Sequence, residues 1–154
     1  MPEFVTTIIA YYDSLLRMLE ASQLGALARS NVWLYPAANT LHVLGAALLV
    51  GAILVYDIRI LRGREPPRTA LVLSTIGLIL LLVTGPTMFS AEAFATGHNP
   101  VFLLKMAVIL AALINVLLYW LAGPVLPRLA RLHAFISALV WTSALILGRL
   151  IAYF

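Results

Sequence analysis

Four apolar stretches dominate this chain, at about residues 37–60, 69–91, 100–121 and 129–153. Each is close to the ~20 residues a helix needs to cross ~30 Å of hydrocarbon. Lipid offers no hydrogen bonds, so a spanning backbone must satisfy its own N–H and C=O groups, and a single apolar segment can do that only as a helix. The segments are joined by GREPPR, FATGHN and AGPVLPR, whose glycine, proline and asparagine residues stop helices. Turns this short force antiparallel neighbours. The expected fold is therefore all-α: an integral-membrane, up-down-up-down four-transmembrane-helix bundle over residues 31–154. Composition agrees, because only 10% of the residues are charged, against about 25% in soluble domains.

Residues 1–30 read differently. Val5, Ile8, Ile9, Tyr12, Leu15, Leu16 and Leu19 fall at helical spacing, with Asp13, Arg17 and Glu20 on the other side. Charges at mid-segment make a fifth span costly, so the segment is expected as an N-terminal amphipathic helix lying in the membrane interface. Packing against the outer rim of the bundle is the alternative. Gly25 and Ser30-Asn31 interrupt the pattern.

Arginines set the expected orientation. Arg59, Arg62, Arg64 and Arg68 surround the first turn, and Arg128 and Arg131 the third, which places both turns in the cytoplasm. The N-terminal helix, the FATGHN turn and the C-terminus then face outward. The net charge of +4 is dispersed over these short segments, so a lipid bilayer is the expected partner and nucleic acid is not. The N-terminus has no basic run before its apolar residues, so no signal peptide is expected. With no cysteine in the sequence, disulfides, thiolate metal sites, iron–sulfur clusters and covalent c-type haem are excluded.

Small residues at three- and four-residue steps mark the packing faces of membrane helices. They predict inward faces through Ala38, His42, Gly45, Leu49, Ala52 and Tyr56 on the first span, and through Ser74, Gly77, Leu81, Gly85 and Met88 on the second. The third is expected to face inward through Lys105, Val108, Ala112, Asn115 and Tyr119, and the fourth through Ala138, Trp141, Thr142, Leu145, Gly148 and Arg149. A kink is expected near Pro86, which frees the carbonyl of Leu82. Counted from the helix ends, His42, Met88, Lys105, Met106 and Arg149 converge on one outer level. At ~1.5 Å per residue His133 lies about 24 Å from Arg149, at the inner level, so it cannot share one haem with His42.

A histidine inside an apolar span needs a partner. His42 is either hydrogen-bonded to a neighbouring helix or a ligand. As a ligand it fits haem b, with Gly45 leaving room for a flat macrocycle and Lys105 and Arg149 balancing the propionates. His98, Met88 or water would supply the sixth position. Copper is the alternative metal, since His42, Met88, His98 and Met106 offer imidazole and thioether donors suited to Cu(I). Basic side chains near helix ends also snorkel to the interface, the ordinary reading of Lys105 and Arg149 taken singly. Asp57 is expected in an inner-leaflet ion pair with Arg59, Arg62, Arg128 or Arg131, Asn115 in a bond across helices, and His133 at the interface. Trp33, Tyr35, Trp120 and Tyr153 read as interface anchors. No paired carboxylates, nucleophile–base pair or phosphate loop is present, so an electron carrier is expected before a stand-alone enzyme.

WLYPAANTLHVLGAALLVGAILVYDIRIL, TGPTMFSAEA, NPVFLLKMAVILAALIN and LVWTSALILGRLIAY together resemble a family of small four-helix bacterial inner-membrane proteins of unknown function. The likeness runs from Trp33 to Tyr153 through His42, Asp57 with Arg59, Lys105, Asn115, Trp141 and Gly148-Arg149. Its layout is similar to four-helix membrane domains of the b-type cytochrome and copper-resistance kind. The resemblance implies the fold and a bacterial inner-membrane setting, in which the arginine count makes both termini periplasmic. Three functions remain in view: electron transfer by haem b near the outer leaflet, with quinone or a periplasmic redox partner; a cofactor-free accessory subunit of a larger membrane complex; and copper handling.

Overall fold

A computed structural model describes residues 3–122 and 127–154. These form helices and no strand: α1 Glu3–Glu20, α2 Gln23–Ser30, α3 Leu34–Leu61, α4 Arg68–Ala91, α5 Ala93–Gly97, α6 Pro100–Ala122 and α7 Pro127–Leu150, then a 3-10 turn at Ile151–Tyr153. The helices α3, α4, α6 and α7 are long and apolar enough to cross a membrane. They match the four expected spans to within three residues at each end. Residues 123–126 of the AGPVLPR turn lie outside the described residues.

The spans are arranged in the order α4, α3, α7, α6. Backbones approach closely between α3 and α4, α3 and α7, and α6 and α7. Between α4 and α6 the backbones stand apart, and the ends joined through α5, named outer for the expected orientation, meet through the stacked rings of Phe89 and Phe102, 5.2 Å between centroids. The tightest seam is the α3/α4 crossing at two glycines. A Cβ on Gly77 would lie 2.6 Å from the Leu49 nitrogen and 2.7 Å from the Gly45 oxygen. In lipid the helices gain nothing by hiding from solvent, so this approach, with the dispersion contacts it allows, is what attracts them. Leu49, Val50, Ala112 and Trp141 form the buried centre, flanked by Ile53, Leu54, Leu78, Leu81 and Val140.

The ends of the spans carry specific devices. Gly63 follows α3 at φ +67°, with its N–H donating to Ile60 and that of Arg64 to Arg59. Those two bonds are a Schellman cap, which needs a left-handed residue that glycine supplies without strain. α4 runs unbroken through Pro86. The FATGHN turn, read as a plain connection, contains the short helix α5.

The N-terminal segment is two helices. Ser22 caps α2 by accepting from the Gly25 nitrogen at 3.2 Å. α2 lies on the outer end of α4, where a Cβ on Gly25 would meet the Ser90 oxygen at 2.6 Å. α1 packs on α5 with its charged side, and Tyr12 and Leu16, expected on the opposite apolar stripe, face α5 as well. Tyr12 donates to the Gly97 carbonyl at 2.9 Å, Asp13 meets His98 at 3.0 Å, the Arg17 guanidinium lies 4.1 Å over the Phe94 ring, and Glu20 accepts from the Phe94 nitrogen at 2.8 Å. Its apolar stripe of Phe4, Ile8, Tyr11, Leu15 and Met18 stays exposed.

Substitution should separate the glycines that pack from the one that does not. Gly77→Leu is expected to destabilise the bundle by at least ~1–3 kcal/mol, because rigid backbone has to move. Gly51 has nothing within 4 Å of a built Cβ, so Gly51→Ala should cost nothing and gain up to about 1 kcal/mol of helix propensity. Reversible unfolding of the two variants in mixed micelles checks the contrast.

Candidate functional site

Polar side chains inside the bundle occur in two layers, separated by the apolar centre. The outer layer begins at His42 on α3. Its Nδ1 lies 2.9 Å from the Thr84 hydroxyl on α4, and that hydroxyl donates to the Leu80 carbonyl at 2.6 Å. Since the hydroxyl proton is committed to Leu80, Thr84 can only accept from His42. Nδ1 therefore carries the hydrogen, and Nε2 keeps its lone pair for a ligand or a proton. The ring packs directly on Gly85, where a Cβ would stand 3.5 Å from it, an ordinary contact distance.

Lys105 enters from α6. Its ammonium lies within electrostatic range of His42 and against Gly148 of α7, 3.5 Å from a Cβ built there. Among the described residues it has no anion within ion-pair reach. The Phe89–Phe102 stack lies one turn outward of Gly85 and Lys105 and covers the layer on that side. This level is the one that counting from the helix ends predicts for His42 and Lys105.

Other residues expected at the site are placed elsewhere. Gly45 is not an open slot: a Cβ on it would meet Leu80 Cβ at 2.9 Å and the Gly77 oxygen at 3.1 Å, so α4 fills the space assigned to a macrocycle. Both nitrogens of His98 are engaged, Nδ1 with the Phe94 carbonyl at 2.8 Å and Nε2 with Asp13 at 3.0 Å. Arg149 is exposed and turned toward the Tyr153 ring, 5.9 Å away, rather than toward His42. Met88 is half-buried on α4, and Met106 is 46% exposed. Among the described residues no three histidine or carboxylate side chains gather as a metal site. Thr84 was not singled out by sequence; its i, i+7 relation to Gly77 on the packing face of α4 is the signal that could have found it.

The inner layer joins α3, α6 and α7. His133 and Asn115 are both buried and form a two-point contact: Asn115 Nδ2 donates to the His133 carbonyl at 3.0 Å, and His133 Nδ1 lies 2.8 Å from Asn115 Oδ1. That oxygen can only accept, so here too Nδ1 carries the hydrogen and Nε2 is left open. Asn115 makes the expected bond across helices, while His133 is an interior group and not an interfacial one. Tyr119 sets its ring edge against His133 at 6.2 Å and against Tyr56 at 6.5 Å. Asp57 is 4% exposed, with the Ser137 hydroxyl beside it and Oδ2 without a partner. The expected ion pair is absent among the described residues. Arg59 points outward two residues on, and Arg131 reaches Gly63 instead. Trp141, one turn outward of Ser137, is buried with its Nε1–H unpartnered.

The Asn115–His133 contact should be measurable as a coupling. Each of Asn115→Leu and His133→Leu strands a buried polar group and should cost about 1–3 kcal/mol. The double variant should cost less than the sum, by about 0.5–2 kcal/mol in a double-mutant cycle.

Compared with family models, with curated proteins and with solved structures, the chain finds no match.

Proposed function

We propose that this chain is an up-down-up-down bundle of the bacterial inner membrane that binds one amphiphilic cofactor at the His42–Lys105 layer. The cofactor that uses both groups is haem b, for electron transfer with quinone or a periplasmic partner. One observation carries the reading: the Thr84–Leu80 relay holds His42 with Nδ1–H donated and Nε2 free, the tautomer an axial ligand needs. Lys105, without an anion of its own among the described residues, is the counter-charge for a propionate. The wide α4/α6 seam is the side from which a flat ligand would reach both. Haem held there would take up and release one electron at a time. This chain's own contribution would be to orient the imidazole, neutralise an acid group and exclude water beneath the Phe89–Phe102 stack.

A second reading has its own support. Gly45 is filled by α4 and His98 is engaged, so neither a slot at Gly45 nor a second histidine ligand is at hand. These facts favour a cofactor-free accessory subunit of a larger membrane complex, with His42–Thr84 as a structural bond. Copper handling is weakened by the same engagement of His98.

The setting rests on charge and on α1. Arg59, Arg62, Arg64 and Arg68 put the Gly63 turn in the cytoplasm and both termini in the periplasm. Helix α1 turns its polar side to the protein and its apolar stripe outward, which suits a helix lying in the membrane interface. Crossing the bilayer would cost ~2.5–3.5 kcal/mol for each of Asp13 and Arg17 at the centre.

Protein purified after expression with ample haem should show a Soret band. His42→Ala should abolish it, and Thr84→Val and Lys105→Ala should weaken haem retention. His133→Ala should leave it unchanged. Absence of the band in the unmodified protein leaves the accessory-subunit reading, and copper bound without haem turns the assignment to copper. The chain has no cysteine of its own, so single cysteines at Glu65 and Thr96 report topology cleanly. Thr96→Cys should label from outside intact cells and Glu65→Cys should not; the reverse pattern inverts the orientation.

A further inference from the structure

The inner layer lies about 22 Å from His42, taking ~1.5 Å for each of the residues between His42 and Asp57, and plays no part in the reading given above. The chain has six acidic residues, and Asp57 is the one inside a span. A carboxyl placed in hydrocarbon without a counter-ion is among the costliest arrangements a protein can hold. Among the described residues no arginine or lysine answers it. On α3 Arg59 is exposed, at the start of α4 Arg68 is exposed, and on α7 Arg128 and Arg131 are exposed. The groups that do face the layer are Tyr56 from α3, Tyr119 and Asn115 from α6, and His133 and Ser137 from α7; α4 adds no titratable side chain.

Every one of these donates or accepts hydrogen bonds, and none is a fixed cation. Two acceptor atoms are uncommitted: Asp57 Oδ2 and His133 Nε2. His133 and Ser137 stand one turn apart on the same face of α7, so imidazole and carboxyl occupy adjacent turns of one surface. A magnesium or calcium ion would require six or more oxygen ligands, whereas a proton requires one. The distance to bulk water is short, since Asp57 is four residues, about 6 Å of helix, from the end of α3 at Leu61.

We propose that Asp57 is a proton-exchange site of the bundle interior, loaded from the Gly63 end, with His133 Nε2 as the second acceptor. A proton leaves a hydronium ion at that end, forms the bond to Asp57 Oδ2, and returns to water by the same route. The charge of the layer changes by one each time.

Dicyclohexylcarbodiimide tests this, because it enters lipid and adds to carboxyls that carry a proton. The full chain, reconstituted in vesicles, is treated over a range of pH and analysed by intact mass and peptide mapping. The expected result is one adduct, at Asp57. Its yield should fall about tenfold per pH unit above a midpoint and should not respond to sodium at constant ionic strength. Asp57→Asn should remove it, and His133→Gln should move the midpoint while the adduct persists. Three results would overturn the assignment. They are no adduct on the folded protein, an adduct whose yield ignores pH, and protection by sodium at fixed pH, which would make the site one for a metal cation.

Discussion

The glycine crossing of α3 and α4 is the contact on which the outer layer depends. Where Gly45 meets Gly77 the two backbones are nearer than side chains would permit, and dispersion at that separation is the attraction available in lipid. Two turns outward on α4 the same approach sets Thr84 opposite His42. Had α4 been held off by the width of one methyl group, the 2.9 Å bond between them could not form. The imidazole would then be free to rotate. The tautomer of His42, on which the proposed ligand role rests, therefore follows from the absence of side chains one and two turns away.

The two polar layers solve one problem in the same way. Each holds a histidine by Nδ1, with a neighbour that can only accept, and each leaves Nε2 open. What differs is the company: an ammonium beside His42, a carboxyl in the layer of His133. Leu49, Val50, Ala112 and Trp141 keep the layers apart. The two proposed roles, counter-charge to an acid group at one end and proton exchange at the other, thus draw on separate sets of side chains.

The spans and their inward faces were legible because helix length and helical period respond directly to lipid. Ala38, Gly45, Leu49, Ala52, Gly77, Ala112, Asn115 and Trp141 are all buried on the faces that small-residue spacing indicates, whereas Leu145 and Arg149, expected on the inward face of α7, are exposed. What the sequence concealed was partnership. A helical wheel places Asp57 within reach of several arginines, yet it cannot show that burial takes the carboxyl inward while long guanidinium side chains reach for water. It places Gly45 beside His42 without showing that another glycine fills the gap. His98 looked like a spare ligand because the fold of a loop, here the short helix α5, has no periodic signal. His133 follows Arg128 and Arg131 in the sequence, which suggests an interface, but its own helix face turns it to Asn115.

The seams also carry a history of assembly. The closest approach joins α3 to α4, neighbours along the chain, and another joins α6 to α7, again neighbours. The Gly63 cap lets the first pair fold back within a few residues. Each hairpin can thus close as soon as its second helix leaves the translocon, before the rest has been synthesised. The remaining docking, of α3 on α7, then brings together two finished halves, and with them Asp57 and Ser137. The Asn115–His133 contact lies within the second hairpin, so what this docking completes is the Asp57 side of the inner layer, and a chain stalled after its first hairpin would carry that carboxyl with no hydroxyl beside it.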